Sequence, residues 1–374
     1  MSSNSINNNP DNGALLNNLK NSVNMDYFDI YMPSIHCLSD QSISSILEQN
    51  SISYAEKISI KTESRYITYL DLYNLSKRIS FFIKEKIEEK IIVIVYNRDI
   101  ETIALMLGIV MAGKSYVFLD LSEPKDSIDR KINKISTKVA LSSKKCEFNG
   151  INVYTISRIF ELIEEDFLGK KVEERQKNTP LYIKFSSGTT GAQKAILIND
   201  GNLLSLNSNA NKIGVITDSV VLLNSTYIFD ASVFEMWLPL LNGATIFLNE
   251  SKLLDHKSLS SIIKSQNITT ACITTSLYNQ LATINPDCFS GLQYLIAAGE
   301  QLKSRYTNPV LAANPNLNLI NGYGPTENTV FSTVYRVPEF VSSMMVPIGH
   351  PLKNIDVALK SINSDEYLLL RFQQ

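Results

Sequence analysis

One segment of the sequence, Tyr182–Ala195, combines residue types that could hold a polyphosphate. Large side chains at Leu181–Phe185 predict a short strand, and Ser, Ser, Gly, Thr, Thr and Gly follow it, with Lys194 three residues later. Small residues let a backbone come close to a ligand, and successive N–H groups, hydroxyls and one ammonium can surround phosphate oxygens. The spacing Gly-x-x-Gly-x-x-Lys differs from the Walker loop, which opens a helix. Because Ala195–Ile198 could be a return strand, a phosphate loop and a plain hairpin turn both fit this segment.

Composition excludes several classes of partner. The 374 residues are enough for two or three subdomains, and 35 basic against 37 acidic side chains leave almost no net charge. No basic tract is interleaved with aromatic residues, so a nucleic-acid partner is not expected. No apolar run approaches ~20 residues and no signal-like segment opens the chain, so we expect a cytoplasmic protein without membrane contact. The four cysteines and three histidines are scattered, which favours neither a zinc site nor a disulfide framework.

Strands and amphipathic helices alternate along the chain from about residue 40. The continuous aliphatic run Ile91–Tyr96 is typical of a strand buried on both faces, and helical periodicity is present in Leu70–Lys84 and Ile100–Met111. Strand, helix, strand at this spacing predicts parallel sheets with crossover helices. We therefore predict an α/β fold with two stacked α/β subdomains, mixed or parallel sheets, and helices between them. A ligand would bind at the carboxyl ends of the strands, as is usual in such folds.

The other predicted elements continue this alternation to the end of the second half. Predicted strands are Tyr116–Leu119, Lys138–Leu141, Ile151–Tyr154, Val220–Leu223, Ala244–Leu248, Thr269–Ile273, Tyr294–Ala297 and Leu317–Ile320. Predicted helices are Ile156–Ile163, Gly201–Ala210, Val233–Leu241, Ser258–Ser265, Leu277–Ile284 and Leu302–Tyr306. The first 25 residues are expected to be a disordered tail, because nine of the first 24 are Asn.

Six further segments occur with the loop in a recognisable order. They are Ile67–Leu72, Met111–Val117, Ile228–Glu235, Ile296–Glu300, Asn321–Asn328 and Ile348–Leu352. With these motifs the chain resembles the adenylate-forming (ANL) superfamily, and most closely the amino-acid adenylation domains of nonribosomal peptide synthetases, over about residues 65 to 353. The resemblance implies a first subdomain over 26–180, a second over 181–345 with the ATP and substrate site, and the truncated start of a small β subdomain over 346–374.

In this family ATP activates a carboxylate to an acyl-adenylate with release of pyrophosphate, an ATP-dependent acid–thiol ligase type of chemistry. Crowded negative charge is the obstacle, so catalysis is mainly positioning and charge stabilisation. The resemblance implies roles for three groups of residues at the nucleotide. Ser186, Ser187, Gly188, Thr189, Thr190, Gly191 and Lys194 would hold the leaving phosphates. Gly299, Glu300, Asn321, Tyr323 and Gly324 would surround the adenine, with Tyr323 stacked on it. Thr326 would contact the α-phosphate, and Glu327 would ligate Mg²⁺.

Asp230 carries the prediction of the substrate class. A carboxylate in apolar company is costly to bury without a partner. It could cap the helix that starts near Ser232, but in the peptide-synthetase branch an Asp here holds the substrate α-ammonium, and we favour that role. By the same resemblance the substrate pocket would be lined by Phe229, Ala231, Phe234, Cys272, Ile296, Ala298, Gly322, Val330 and Phe331. None of these is charged, and the bulk of Phe234 and Phe331 limits the space, so the side chain of the amino acid is expected to be small or branched aliphatic.

The chain departs from the family pattern in two places. Within the loop, Gln193 and Ala195 stand where the family usually has Pro and Gly. The family also continues into a segment with a ribose-binding Asp and a mobile C-terminal lid subdomain, and nothing in 354–374 matches these. The expected function is therefore amino-acid adenylation, with an amino-acid substrate, a phosphopantetheine-bearing carrier protein and a separately encoded lid as partners. The core alone is expected to be slow or inactive. The alternatives are a non-catalytic module that binds ATP or an amino acid or docks on a partner, and an acyl- or aryl-acid adenylating core.

Overall fold

The computed structural model describes residues 41–148, 150–162, 172, 175, 180–186, 193–251, 254–360 and 367–370. Its strands are β1 Ile58–Lys61, β2 Tyr66–Thr68, β3 Ile91–Val95, β4 Ser115–Leu119, β5 Val139–Ser142, β6 Asn152–Thr155, β7 Pro180–Ser186, β8 Lys194–Asn199, β9 Val220–Leu223, β10 Thr245–Leu248, β11 Thr270–Thr274, β12 Tyr294–Ala298, β13 Asn318–Tyr323, β14 Thr333–Arg336, β15 His350–Pro351, β16 Val357–Lys360 and β17 Tyr367–Leu370.

The helices lie between these strands in the order that a doubly wound fold requires. They are α1 Ile43–Ser53, α2 Tyr69–Lys86, α3 Ile100–Met111, α4 Lys125–Ile135, α5 Ile156–Leu162, α6 Asp200–Asn207, α7 Ala231–Leu241, α8 His256–Gln266, α9 Thr275–Ile284 and α10 Ser304–Ala313. Three short 3₁₀ turns, Ala210–Ile213, Pro286–Phe289 and Thr326–Asn328, complete the described helical segments.

Two large sheets and a hairpin contain the strands. The six-stranded sheet has the order β6-β5-β3-β4-β7-β8, and its strands are parallel except for β8, which pairs antiparallel with β7. The nine-stranded sheet has the order β15-β14-β13-β12-β11-β9-β10-β1-β2, with a parallel centre and antiparallel strands at both edges. Strands β16 and β17 pair with each other alone.

The two sheets bury their inner faces against one shared layer of helices. Side chains alternate across each strand, so in β3 Ile92 and Ile94 enter the central layer while Val93 and Val95 pack on the outside. The central layer contains α1, α2, α3 and α7, and it also receives the inner faces of β9 to β13. Helix α4 covers the outside of the six-stranded sheet, and α8, α9 and α10 cover the outside of the nine-stranded sheet. The order of layers is helix, sheet, helix, sheet, helix.

This architecture confirms the predicted α/β class with mixed sheets and helices between them. The two strands expected on either side of the loop are present, since Phe185 of β7 pairs with Ala195 of β8, and this pairing is common to a phosphate loop and a plain hairpin turn. The predicted helix over 302–306 was wrong in its bounds. Leu302 is buried and Lys303 forms a bridge with Met345, so the helix begins at Ser304, and it continues to Ala313 despite Pro309.

Sheet membership does not follow the predicted boundary between residues 180 and 181. Strands β7 and β8 belong to the six-stranded sheet with β3 to β6, and β1 and β2 pair with β10 in the nine-stranded sheet. The local pattern of the sequence shows that these segments are strands, but pairing partners far apart in the chain are a property of the tertiary fold.

A buried ion pair joins Arg175 to Asp200 at the start of α6. The Nε atom of Arg175 donates to both carboxylate oxygens of Asp200 at 3.0 and 3.1 Å, and both side chains are 1% exposed. The guanidinium also donates to the carbonyl oxygens of Val110, Lys114 and Pro180. Burial raises the pKa of Asp200 to about 6, and the charge of Arg175 opposes that rise.

We expect Arg175→Leu to lower the free energy of unfolding by ~3–5 kcal/mol, because the Asp200 carboxyl group is then buried without a counter-charge. Urea unfolding followed by the fluorescence of Trp237, the one tryptophan in the sequence, measures this loss. The control is Arg158→Leu, which removes a pair with Glu161 in which both side chains are more than half exposed and should change the free energy by less than ~1 kcal/mol. Equal losses in the two variants would contradict a special role for the buried pair.

Candidate functional site

The carboxyl ends of three neighbouring parallel strands form one wall of a cavity. Cys272 of β11 and Ile296 of β12 are paired, and Thr274, Ala298 and Gly322 form the next row across β11, β12 and β13. Positions two residues apart on a strand point to the same face, so both rows point toward the central layer. This arrangement brings together side chains that are separated by up to 50 positions in the sequence.

A turn between β9 and α7 forms the opposite wall. It carries Asp230, whose backbone oxygen accepts from Val233 N at 2.9 Å while its side chain makes no capping bond to the helix. Instead, the Asp230 carboxylate accepts a hydrogen bond of 2.5 Å from the hydroxyl of Thr326. The carboxylate therefore faces the 3₁₀ turn Thr326–Asn328 rather than the start of α7.

The cavity between these walls has a volume of about 230 Å³. Eight of the predicted substrate-pocket residues line it, namely Phe229, Asp230, Ala231, Cys272, Ala298, Gly322, Val330 and Phe331, together with Gly299 and Gly324 from the predicted adenine set and two unpredicted residues, Ile273 and Thr274. Apart from Asp230 and Thr274 the lining is apolar or glycine. Phe234 and Ile296 are fully buried behind this lining, and Phe234 packs edge-to-face on Phe331 with 5.9 Å between ring centroids.

Two glycines and a strained turn shape the inside of the cavity. A Cβ on Gly322 would lie 2.7 Å from the ring of Phe331, and one on Gly324 would lie 2.6 Å from the backbone oxygen of Val330. Thr329 and Val330 have φ values of 57° and 74°, a region that β-branched residues rarely adopt. Such strain persists only where the surroundings enforce it and is concentrated at functional sites.

Three of the residues predicted around the nucleotide are exposed, whereas a fourth, Asn321, is buried and already hydrogen-bonded within the protein. Tyr323 is 52% exposed beside the cavity, and Gly299 has φ +100° with open space where a Cβ would be. Glu300 is exposed and accepts a hydrogen bond from Ser276. Asn321, in contrast, points to the other face of β13 from Gly322, and its amide donates to Pro347 O at 2.8 Å. The amide nitrogen of Asn321 is therefore already used by the protein.

The predicted phosphate loop is described only at its two ends. Ser186 ends β7 and pairs with Lys194 at the start of β8, while Ser187, Gly188, Thr189, Thr190 and Gly191 lie outside the described residues. Strand β8 lies against the 3₁₀ turn Thr326–Asn328, with Cα atoms within 8 Å. The base of the loop and the turn that carries Thr326 and Glu327 are thus neighbours, although they are more than 100 residues apart in the sequence.

Glu327 is partly buried in that turn. Within the described residues there is no group of three or more His, Cys, Asp or Glu side chains that could hold a metal ion. Glu327 offers one partly exposed carboxylate in the turn beside β8, and a single carboxylate is a ligand that Mg²⁺ can use together with phosphate oxygens and water.

Comparison with known proteins identifies the family. Residues 47–369 match the family described as AMP-binding enzyme. The chain belongs to the AMP-binding enzyme family. It is 32% identical over 319 residues to one of the plipastatin synthase proteins of Bacillus subtilis (strain 168), a match that covers 84% of this chain and 12% of the relative. It is 29% identical over 319 residues to tyrocidine synthase 3 of Brevibacillus parabrevis, covering 84% of this chain and 5% of the relative. The chain thus spans only a small part of these synthases.

Solved structures of similar fold include PA1221, described as an NRPS protein containing adenylation and PCP domains. The TM-score is 0.80 at 25% identity, over 87% of this chain and 66% of that one. The N-terminal subdomain of Klebsiella oxytoca NpsA in complex with 3-hydroxybenzoyl-AMSN superimposes with a TM-score of 0.76 at 22% identity, over 84% of this chain and 81% of that one. In the described part of this AMP-binding family member, every helix is too short or too polar to cross a bilayer.

Two buried charged residues at the site were not among the predicted site residues. Lys184 of β7 is 5% exposed, and Glu235 of α7 is fully buried. Both lie inside motifs that the sequence singles out, but the side-chain direction that makes them important depends on which face of β7 and α7 is buried. The carboxyl oxygens of Glu235 accept from the hydroxyl and the backbone N–H of Ser225 at 2.9 and 3.0 Å. Burial raises the pKa of Glu235 to about 8, although the bonds from Ser225 oppose that rise.

Glu235 should make the stability of this family member depend on pH. Its pKa is raised on folding from 4.5 to about 8, so the folded protein holds the proton more tightly than the unfolded chain. This stabilisation is fully present at about pH 4.5 and is lost as the pH rises towards 8. Glu235→Gln imitates the protonated form, and we expect wild-type protein to lose up to ~1.4 kcal/mol per pH unit relative to it in this window.

Urea unfolding of wild type and Glu235→Gln at several pH values between about 5 and 8 measures the difference. Subtracting the two curves removes the contributions of all other titrating groups, including Asp200. Curves that stay parallel across this range would mean that Glu235 does not change its protonation state on folding.

Proposed function

We propose that the chain activates an α-amino acid with ATP, giving an aminoacyl-adenylate and pyrophosphate. A carboxylate oxygen of the amino acid attacks the α-phosphorus, the bond from that phosphorus to the bridging oxygen breaks, and pyrophosphate leaves with the electron pair. The observation that carries this proposal is the orientation of Asp230, which faces the cavity and Thr326 and does not cap α7.

The position of Asp230 supports an ammonium-bearing substrate. Its carboxylate is on the wall of an otherwise apolar cavity, and a carboxylate in such surroundings requires a hydrogen-bonded or charged partner. Thr326 supplies one hydrogen bond to Oδ2. The amino group of an α-amino acid would supply an ion pair with hydrogen bonds between two charged groups, which is stronger than a bond from a neutral hydroxyl.

The remaining lining supports a small or branched aliphatic side chain. Ala231, Ala298 and Gly322 keep the cavity open, whereas Phe331, backed by Phe234, limits its depth. No lining side chain other than that of Asp230 carries a charge at neutral pH. A charged substrate side chain would therefore lose its hydration without gaining a partner.

The neighbouring groups support ATP as the second substrate. The ring of Tyr323 is accessible for stacking on an adenine, and Gly299 leaves room beside it. Ser186 and Lys194 at the base of the loop would hold phosphate oxygens, with Ser187, Gly188, Thr189, Thr190 and Gly191 completing the set. Glu327 would hold the Mg²⁺ ion that accompanies ATP and lowers the negative charge at the phosphates.

Thr326 would connect the two substrates. Its hydroxyl has one hydrogen, which in this structure is donated to Asp230, and a phosphate oxygen also requires a donor. An ammonium group bound at Asp230 would replace that hydrogen bond and leave the hydroxyl hydrogen available for the α-phosphate. Binding of the amino acid would thus free a hydrogen-bond donor for the α-phosphate that its own carboxylate attacks.

The partners extend this proposal beyond the chain. The similarity to PA1221, an NRPS protein with adenylation and PCP domains, supports a carrier protein as the acceptor of the activated amino acid. We further propose that a C-terminal lid subdomain of the family type acts with this core, since closure of such a lid completes sites of this kind.

Amino-acid-dependent exchange of pyrophosphate into ATP tests the proposed reaction. We expect exchange with small or branched aliphatic amino acids, faster when the C-terminal subdomain of a relative is added to the chain. The panel includes charged amino acids and aryl acids as negative controls. Exchange with aryl acids alone would replace the proposed substrate class, and the absence of both exchange and ATP binding by calorimetry would overturn the reaction itself.

Asp230→Ala should raise the KM for the amino acid ~10–100-fold, corresponding to ~1–3 kcal/mol, because the substrate ammonium loses its charged acceptor. The KM for ATP should change much less. Exchange kinetics with each substrate varied in turn separate the two constants, and Asp218→Ala, at an exposed aspartate, serves as the control. If both KM values rise together, Asp230 has a structural rather than a substrate-binding role.

A further inference from the structure

Lys184 is a buried lysine whose three ammonium hydrogens face three acceptors. On β7 it points in the same direction as Tyr182, toward the central layer of the protein, where hydrocarbon side chains are the rule. Its Nζ atom donates to the carbonyl oxygens of Tyr227 and Phe229 at 2.7 and 2.8 Å and to the hydroxyl of Ser232 at 3.3 Å. An ammonium in such a place is tolerated only when it is fully hydrogen-bonded, and here it is.

These acceptors all belong to the turn that carries Asp230. The hydroxyl oxygen of Ser232 lies 3.1 Å from the carbonyl oxygen of Tyr227 and 2.6 Å from that of Phe229, and its one hydrogen is donated across the shorter contact to Phe229. Lys184 and Ser232 therefore draw the backbone oxygens of the turn inward. The side chain of Asp230, between these anchored positions, projects to the cavity and meets Thr326.

The charges around Lys184 agree with a role in anchoring the turn that carries Asp230. The pKa of Lys184 is lowered to about 8 by burial, while the negative charge of Asp230 opposes that shift. Asp230 and Glu235 are the acidic groups that act on it, and the other neighbours of the ammonium are neutral carbonyl and hydroxyl oxygens. At neutral pH the ammonium is charged, and its bonds to the turn are of the stronger, charge-assisted kind.

We propose that Lys184 is a positioning residue that enables Asp230 to distinguish a substrate with an α-ammonium group from one without it. This inference rests on the proposed amino-acid adenylation. It assigns Lys184 no contact with either substrate. The residue acts from behind the turn, two positions before Ser186 on the strand that leads to the loop, so one strand supports both halves of the site.

The test compares the amino acid most active in exchange with the same acid lacking its amino group. The readout is the ratio of the two kcat/KM values, which a general loss of stability does not change. We expect Lys184→Met, which keeps the length of the side chain but removes the ammonium, to lower this ratio about tenfold or more, because the turn loses its charge-assisted bonds. The KM for ATP should stay within about twofold of wild type, since uniform binding of ATP is not affected.

Lys114→Met is the matched control. The Nζ atom of Lys114 also donates to two backbone carbonyl oxygens, those of Ile87 and Glu89 at 2.6 and 2.9 Å, and burial also lowers its pKa. It lies before β4 and is not part of the cavity lining. This variant should leave the ratio unchanged.

Ser232→Ala provides a second test if Lys184→Met does not fold. It removes one of the two groups that hold the carbonyl oxygens of Tyr227 and Phe229 and should lower the ratio in the same direction by a smaller factor. An unchanged ratio in both variants, or one that increases, would overturn the role of Lys184 while the proposed function stands. If the wild-type protein shows no preference for the ammonium-bearing acid, the proposed function and this inference both fail.

Discussion

The site depends on one packing constraint, the layer of helices that both sheets share. Each sheet buries its inner face against α1, α2, α3 and α7, so the two sheets cannot move apart without exposing that common apolar surface. One hydrogen bond inside the layer joins α7 directly to the six-stranded sheet. Trp237 of α7 donates to the hydroxyl of Tyr116 on β4 at 2.8 Å, and both residues are fully buried. As a result, β7 from one sheet contacts the turn before α7 through Lys184, and that turn lines the cavity together with the ends of β11 to β13 from the other sheet.

Within this apolar frame, three ionisable side chains lie around the turn that begins α7. Lys184 and Glu235 are both buried there, and Asp230 adds a carboxylate at the cavity. Burying each of these groups is unfavourable unless hydrogen bonds compensate. Hydrogen bonds of the backbone and hydroxyl groups of residues 225 to 232 supply this compensation. Several of them hold the same turn, so its conformation is fixed by more than one contact. A rigid turn is the kind of support that a recognition group needs, because a displacement of about 1 Å weakens a charged contact considerably.

The sequence alone was sufficient for the elements whose signal is local. The aliphatic run of β3 and the helical periodicity of α3 predicted both elements, and the β7–β8 hairpin followed from large residues on either side of a Ser/Gly/Thr segment. Pairing between distant segments could not be predicted in this way. Nothing in the sequence near β1 indicates that it pairs with β10, almost 190 residues later. The direction of the Asn321 side chain could not be predicted from the local sequence either, because the face of β13 that it occupies depends on the register with β12 and β14.

In the candidate site, too, the residue types could be predicted from the sequence, whereas the environment of each side chain could not. The motifs placed Asp230, Thr326 and Glu327 in one set, but they gave no distance between them and no reason why Asp230 should not cap α7. The structure supplies that reason through Lys184, since a turn whose carbonyl oxygens face inward must direct the Asp230 side chain outward. Lys184 itself is inconspicuous in the sequence, where a lysine in a strand is usually exposed. Its significance arises only from burial, and burial of a strand residue is decided by the sheet that packs on it.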